Sequence, residues 1–351
     1  MLPIIVVYSS LYLLFLSLAL FLFICFRRLF IQSRERRETR IYERMEADLL
    51  EVLTAADPRG EARLFARKYR SHPRVLKRIL VAYREAIVGS ALEPLRSIFD
   101  RTIRRKCLRD LRSRWLFVRL QNVRLFVGFS RPDEATHLIE LLHDKPVVRL
   151  TVLGALTGIP TDEMLAHIFE AFESDPKPNL FAYSNILFSL GQRIKPFLRE
   201  SLRKPLPMEK TGLLIEIAGR LLLRSLFREI SAFADHSGKE LRIRTARALG
   251  KLSVPASRDT LIHLAEDEAW EVKAQALRSL GFLKDRKTLP VLAESLFSPH
   301  WHVRYNAGYG LAAFGLAGIL RLQEISRQKK DKFAADMAAM VLDSIVLTGG
   351  A

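Results

Sequence analysis

Eight histidines, His72, His137, His143, His167, His236, His263, His300 and His302, are the side chains best suited to proton transfer or metal binding near neutral pH. None stands in an HExxH pattern, and the one close pair, His300 and His302, flanks Trp301. A metal there would need a third ligand from elsewhere in the fold. The only two cysteines, Cys25 and Cys107, cannot make a disulfide framework or a cysteine-rich zinc site, and such sparse usage agrees with a reducing compartment. Gly-rich phosphate loops, nucleophile elbows and kinase signatures are absent from the sequence. No catalytic residue, cofactor-binding residue or metal ligand is therefore named, no cofactor is expected, and a non-catalytic role is the favoured reading.

The chemistry that remains is cationic. Arg101, Arg104, Arg105, Lys106, Arg109, Arg112 and Arg114 crowd into one short stretch. If it is helical, Arg101, Arg105, Arg109 and Arg112 share a face. The stretch reads as a solvated helix face, or as a contact for anionic lipid, an acidic or phosphorylated partner, or nucleic acid. Cys107 among these cations could have a lowered pKa; a buried filler thiol is the simpler reading.

The formal net charge of +18 is unevenly placed. Residues 27–124 hold 26 Lys/Arg against 12 Asp/Glu, a net of +14, whereas 125–351 hold 30 against 26, a net of +4. The basic character therefore follows directly on an apolar N-terminus. Residues 2–26 contain no charged side chain, and as a helix of 1.5 Å per residue they would reach roughly 37 Å, enough to cross a hydrocarbon core of about 30 Å. Ser9, Ser10 and Ser17 can bond back to the helix backbone, and Tyr8 and Tyr12 suit the interface. No basic residue precedes the run and no small-x-small cleavage site ends it, so an uncleaved anchor is preferred to a signal peptide. Arg27, Arg28, Arg34, Arg36 and Arg37, with Arg40 and Arg44, follow immediately. Positive charge is retained on the cytoplasmic side, so the expectation is a single-pass inner-membrane protein with its N-terminus outside. The arginines would contact anionic headgroups at about 1 kcal/mol each.

Beyond the collar, the sequence repeats. LRIRTARALGKL (241–252), VKAQALRSLGFL (272–283) and VRYNAGYGLAAF (303–314) place Gly250, Gly281 and Ala312 at intervals of 31. Gly219, Gly191, Thr157 and Val127 continue this small-residue slot backwards at 31, 28, 34 and 30. The residue before it is always apolar: Phe126, Leu156, Leu190, Ala218, Leu249, Leu280 and Leu311. Each copy is preceded by a second apolar helix, and turns at 130–133, 174–178, 253–255 and 298–299 separate them. Two short helices per roughly 31 residues describe a stacked array of helical hairpins. The boundaries read as a transmembrane helix over 2–26, a basic helical region over 27–115, repeats over 116–324 and a capping helix over 331–347. Within 32–115, helices are expected at 34–56, 61–69, 74–88 and 92–111. Asp331, Asp336 and Asp343 would give the cap a polar outer side.

The copies resemble HEAT-like repeats of the short bacterial type known from phycobilin-lyase subunits. That pattern has an acid before the second helix, then Val-Arg, small residues and Leu-Gly. The sequence matches at Asp144 with Val148-Arg149, Asp235 with Leu241-Arg242 and Asp267 with Val272-Lys273; Ser298 replaces the acid before Val303-Arg304. Copies centred on Ala182 and Lys210 lack the acid–base pair. The resemblance implies an all-α fold, an α-solenoid of HEAT-like hairpins preceded by one transmembrane helix. The acid–base pairs are read as a ladder linking helix ends, not as catalysts. Trp270 and Trp301, each two residues before a Val, are read as packing at a turn or as a partner face. No His-Glu dipeptide occurs, which sets the chain apart from di-iron HEAT-repeat hydroxylases.

The favoured function is a membrane-anchored scaffold that binds a protein partner at the cytoplasmic membrane face. Nucleic-acid binding is the weaker alternative, since the repeats carry only +4. A lyase or hydroxylase built on the solenoid is the other.

Overall fold

The structure, a computed structural model, describes residues 2–348 except 88, 90–91, 130–133, 135, 159–160 and 329–330; at 2–13, 85 and 346–348 it describes the backbone alone. The turn expected at 130–133 and the side chains of Tyr8, Ser9, Ser10 and Tyr12 lie outside the described residues. The chain divides into two compact units, 1–155 and 156–351.

The first unit opens on α1 (Leu2–Thr54), a helix of 53 residues. It joins the expected helices at 2–26 and 34–56 without a break, because no Gly or Pro occurs between Pro3 and Asp57. It is about 80 Å long at 1.5 Å per residue. Its last turns bury Met45, Leu49 and Val52, spaced to share a face, against α2 (Pro58–Tyr69) and α3 (Pro73–Ala86). The Asp57 carboxylate caps α2 by accepting from the Gly60 amide at 3.1 Å, with Pro58 at the first helical position. Then follow α4 (Leu92–Thr102), α5 (Arg104–Leu111), α6 (Leu116–Phe129), α7 (Thr136–Ile139) and α8 (Pro146–Leu156).

The second unit contains α9 (Asp162–Ser174), α10 (Leu180–Ser189), α11 (Lys195–Leu202), α12 (Met208–Arg220), α13 (Phe227–Ser231), α14 (Lys239–Leu252), α15 (Arg258–Ala265) and α16 (Trp270–Leu283), then α17 (Leu289–Glu294), α18 (Trp301–Ala312), α19 (Leu316–Ser326) and α20 (Lys332–Thr348). The long even-numbered helices α12, α14, α16 and α18 lie side by side, each backed by the shorter helix before it in the chain. This is the expected array of hairpins, and no strand occurs among the described residues.

The 31-residue pattern has a direct packing cause. A Cβ on Gly250 would sit 2.5 Å from Ser279 Oγ, and one on Gly281 2.8 Å from the Gly310 Cα. The small residue of one copy therefore receives the backbone of the next, and anything larger would push the helices apart. The apolar residue before each slot is buried in all seven copies. A second regularity follows the slot by three residues. Leu222 (φ 53°), Ser253 (φ 48°) and Lys284 (φ 55°) are left-handed, turning the chain at the ends of α12, α14 and α16.

Helix α20 closes the unit. The Asp331 carboxylate accepts from the Ala334 amide at 3.0 Å, Ala334, Met337, Ala338 and Val341 face inward, and Asp336 and Asp343 are exposed. A polar outer face of this kind is what a terminal repeat requires.

Candidate functional site

The first candidate surface follows α1. From Leu14 onward its apolar part has mean hydropathy 2.2 in its most apolar stretch, and none of that stretch is buried against protein. That stretch packs against no other described part of the chain. Arg27, Arg28, Arg34, Arg36 and Arg37 are all exposed just beyond it; among them only Arg34 meets a carboxylate, Glu38, at 3.2 Å. Cationic clefts flank the helix where it enters the fold. One of about 660 Å³ is lined by Arg37, Arg40, Arg44, Lys68 and His72, with Tyr69 donating to Asp48 at 2.8 Å. The other, about 690 Å³, is lined by Arg74, Lys77, Arg78 and Arg124, and Arg78 lies over the Tyr42 ring at 5.0 Å. Sequence reading passed over this second group because its cations come from two helices, α3 and α6, and form no run in the chain.

The basic run at 101–114 is arranged differently from its expected single face. The helix breaks at Ile103 (φ −109°), and Thr102 turns its hydroxyl back onto the Ile98 carbonyl at 2.6 Å. Arg101 therefore belongs to α4, whereas Arg105, Lys106 and Arg109 are exposed on α5. Arg104 is held by Asp100 at 3.2 Å and by Glu134, and Arg112 by Glu140 at 2.9 Å. Arg104 is a half-buried tie; Arg112, 72% exposed despite its ion pair, faces solvent together with Arg101, Arg105, Lys106, Arg109 and Arg114. Cys107 lies under them fully buried, and burial pushes its thiol up to about 12, the reverse of an activated cysteine.

The acid–base ladder connects neighbouring copies. Arg242 meets Asp267, 25 residues on, through two hydrogen bonds of 2.6 and 3.0 Å. Arg119 and Asp144, also 25 apart, pair in the first unit at 2.7 Å. The same guanidinium clamps the turn before its own helix: Arg242 donates to the carbonyls of His236 and Ser237, Arg119 to Ser113, and Arg304 to Ser298 and Pro299. Each of these arginines stands eight residues before the small-residue slot. Tyr183 and Thr211 occupy that position in the two degenerate copies. The Tyr183 hydroxyl bonds the Ala171 carbonyl and Asp175, and that of Thr211 the Leu206 carbonyl.

The long helices present a mixed face to solvent. Trp270 stacks on His302 of the next copy (5.0 Å, 16°), Trp301 on Tyr305 (4.9 Å, 25°), and Tyr305 touches Tyr309. Trp270 is half-buried, while Trp301 is 48% exposed, so the pair is one continuous aromatic strip rather than two equivalent packing residues. Beyond it, Arg247, Lys251, Gln275, Arg278 and Phe282 line a cleft of about 460 Å³. Among the described residues, no group of three or more His, Cys, Asp or Glu is placed to hold a metal ion.

The family described as HEAT repeats matches residues 228–312 and 264–343. Together the matches span residues 228–343, about a third of the chain. A crystal structure of the karyopherin Kap121p bound to the extreme C-terminus of the protein phosphatase Cdc14p is similar, with a TM-score of 0.52 at 13% identity over 86% of this chain and 41% of that one. Kap121p bound to Pho4p gives the same values. The chain thus spans about two fifths of those karyopherin chains, and at this identity the likeness shows the fold alone, an all-α solenoid. The complex of CpcE and CpcF of phycocyanin lyase from Nostoc sp. PCC7120 aligns at a TM-score of only 0.30 (15% identity, 68% of this chain, 93% of that one), too low to bear on shared structure. No curated protein matches the chain.

Proposed function

We propose that the protein is a membrane-anchored HEAT-repeat scaffold that binds a protein partner at the cytoplasmic membrane face and performs no catalysis itself. The observation that carries this reading is the double character of α1. From Leu14 onward its apolar stretch is covered by no described part of the protein, while its last turns are core of the first unit through Met45, Leu49 and Val52. Hydrocarbon is the solvent in which such a helix is stable, and its continuity would hold the fold at the bilayer.

On this reading residues 2–26 are the span, 27–115 a basic region at the surface, 116–324 the repeats and 331–347 the cap. Arg27, Arg28, Arg34, Arg36 and Arg37 set the N-terminus outside and lie among anionic headgroups, with Arg101, Arg105, Lys106 and Arg109 as further cations for lipid or an acidic partner. Solenoids offer long surfaces to extended partners; the Kap121p structures are complexes with protein partners, in agreement with such use of the fold.

Two measurements test it. Alkaline extraction with protease accessibility should leave the full chain in the membrane with its repeats digested only from the cytoplasmic side; release by alkali overturns the anchor. Crosslinking and capture from native membranes should recover one stoichiometric protein partner; recovery of lipid alone overturns the scaffold.

A further inference from the structure

We infer that the face of α14 and α16 around Arg247 and Arg278 is the docking site for an extended acidic segment of the partner protein, one carrying Glu-x-Glu or Asp-x-Asp next to an aromatic residue. This rests on the scaffold reading and gives its partner a chemistry.

Arg247 and Arg278 occupy the same position in successive copies, three residues before the small-residue slot. Both are exposed, and among the described residues neither meets a carboxylate: Arg247 touches the Gln275 amide at 3.4 Å and Arg278 lies over Phe282 at 5.8 Å. Lys251, one turn beyond Arg247, is likewise exposed and has no acid within ion-pair distance. Other arginines of the unit are neutralised across copies, as in Arg199–Glu229, Arg242–Asp267 and Arg258–Asp285. The cleft beneath is floored by Gly250, so its cations stand around an open depression.

The spacing selects the ligand. Packed helices lie about 8–10 Å apart, and the close approach at Gly250 puts α14 and α16 near the lower end. In an extended chain, residues i and i+2 point the same way about 7 Å apart. Two carboxylates so placed can meet the two guanidinium groups together, whereas adjacent carboxylates point to opposite sides. Phe282, 55% exposed one turn beyond Arg278, is the apolar surface on which the neighbouring aromatic residue would rest.

The same face argues against nucleic acid. Glu216 and Glu240 hold Arg244 at 3.3 and 2.9 Å, and Glu271 holds Lys239 at 2.6 Å, so carboxylates interrupt the basic positions. A phosphate backbone needs a continuous cationic stripe; a short acidic motif needs only the two arginines and the lysine.

The test uses the full chain in nanodiscs and fluorescein-labelled peptides carrying Glu-x-Glu-x-Phe, with Glu-Glu-x-x-Phe and Lys-x-Lys-x-Phe versions and a single-stranded oligonucleotide as the other arms. The Glu-x-Glu peptide should bind with affinity that falls as salt rises. R247E/R278E should weaken it by about tenfold or more, as expected when charge-assisted hydrogen bonds are lost. R247Q/R278Q should weaken it less, and R327E, at an exposed cation just after α19, should leave it unchanged. Melting curves matching the wild type keep the charge reversals interpretable, and both side chains are exposed. Absence of Glu-x-Glu binding, equal binding of all three peptides, equal binding by R247E/R278E, or preference for the oligonucleotide would each overturn the proposal. A crosslinked partner captured equally by wild type and R247E/R278E would leave the scaffold standing and remove this surface; no partner at all would remove the scaffold itself.

Discussion

Arg242 and Asp267 stand in neighbouring HEAT-like repeats and face each other fork to fork, Nε to Oδ2 at 2.6 Å and Nη2 to Oδ1 at 3.0 Å, with both side chains less than a tenth exposed. The pair does two jobs. Arg242 also holds the carbonyls of the turn before its helix, and Asp267 accepts the Ala269 amide at 2.8 Å at the start of the next. A planar guanidinium can serve both sides at once, which a lysine could not.

Acid should act on this pair. Burial alone would raise the Asp267 pKa, but the hydrogen bonds from Arg242 and the Ala269 amide, with the attraction of Arg242 and Lys273, leave it below its ordinary value. A carboxyl depressed on folding stabilises above its unfolded pKa of about 3.9 and loses that contribution as pH falls through the folded value. Arg242 is raised by the hydrogen bond to Asp267, so its share persists up to strong alkali. In a W115F background, Trp270 and Trp301 report the second unit alone, and its stability should fall below about pH 4. D267N should cost about 3 kcal/mol at neutral pH, by leaving Arg242 buried without its partner, and should flatten the acid limb. An unchanged acid limb in D267N would assign it to other carboxylates.

The small-residue slot makes a second prediction. In G281A the new methyl meets the Gly310 backbone at 2.8 Å, where no flexible side chain can yield, so α16 and α18 must separate, at a cost of about 1–3 kcal/mol. Gly154 is the control. A Cβ there meets nothing within 4 Å, and its helical setting favours alanine by about 0.5–1 kcal/mol. Thermal melting of both variants decides; G281A as stable as wild type would mean the slot is not a packing constraint.

Cys107 should behave as a core residue. With burial holding its thiol near 12 and its Sγ against the Asn122 carbonyl at 3.4 Å, almost no thiolate forms at neutral pH. In a C25S background, a thiol reagent at pH 8 should react only at the rate at which the first unit opens, and fully once denaturant is added. Prompt labelling of the native protein would place this thiol nearer solvent.

What the sequence disclosed and what it hid divide along physical lines. The 31-residue spacing was legible because backbone contact between copies tolerates only small residues, a restriction the residues at 219, 250 and 281 display directly. The apolar residue before the slot was legible for the same reason. The ladder was visible as acids and bases, but its register was not: pairing over 25 residues joins one copy to the next, and adjacency in the motif points instead to Asp235 with Arg242. Asp235 in fact meets His263 at 2.6 Å. The break at Ile103 carries no proline or glycine to announce it. The stack of Trp270 on His302 and the unpaired state of Arg247 and Arg278 depend on which side chains across copies fail to meet, which no single stretch of chain records.

Lys210 supplies the last prediction. It lies almost fully buried in a degenerate copy, where its ammonium donates to the Glu173 carbonyl at 2.6 Å and lies 5.7 Å from the Phe172 ring centre. Burial holds its pKa below the ordinary lysine value, against the pull of Asp175 and Glu173. For a base depressed on folding, the unfolded chain binds more protons between the two pKa values, so stability rises with pH there. The penalty is fully present below the folded value and vanishes above about 10.4. The second unit should therefore gain stability as pH climbs toward 10, and K210M should abolish that gain. At neutral pH K210M should lie within about 1 kcal/mol of wild type, because relief of a desolvated charge offsets the lost bond to Glu173 and the lost attraction of Asp175. Asp175 keeps the Lys177 amide at 3.1 Å and the Tyr183 hydroxyl at 3.3 Å, so the carboxylate is not left bare. A loss of several kcal/mol in K210M would show instead that the Lys210–Asp175 attraction outweighs desolvation, and that this copy replaces the arginine fork with a buried ion pair.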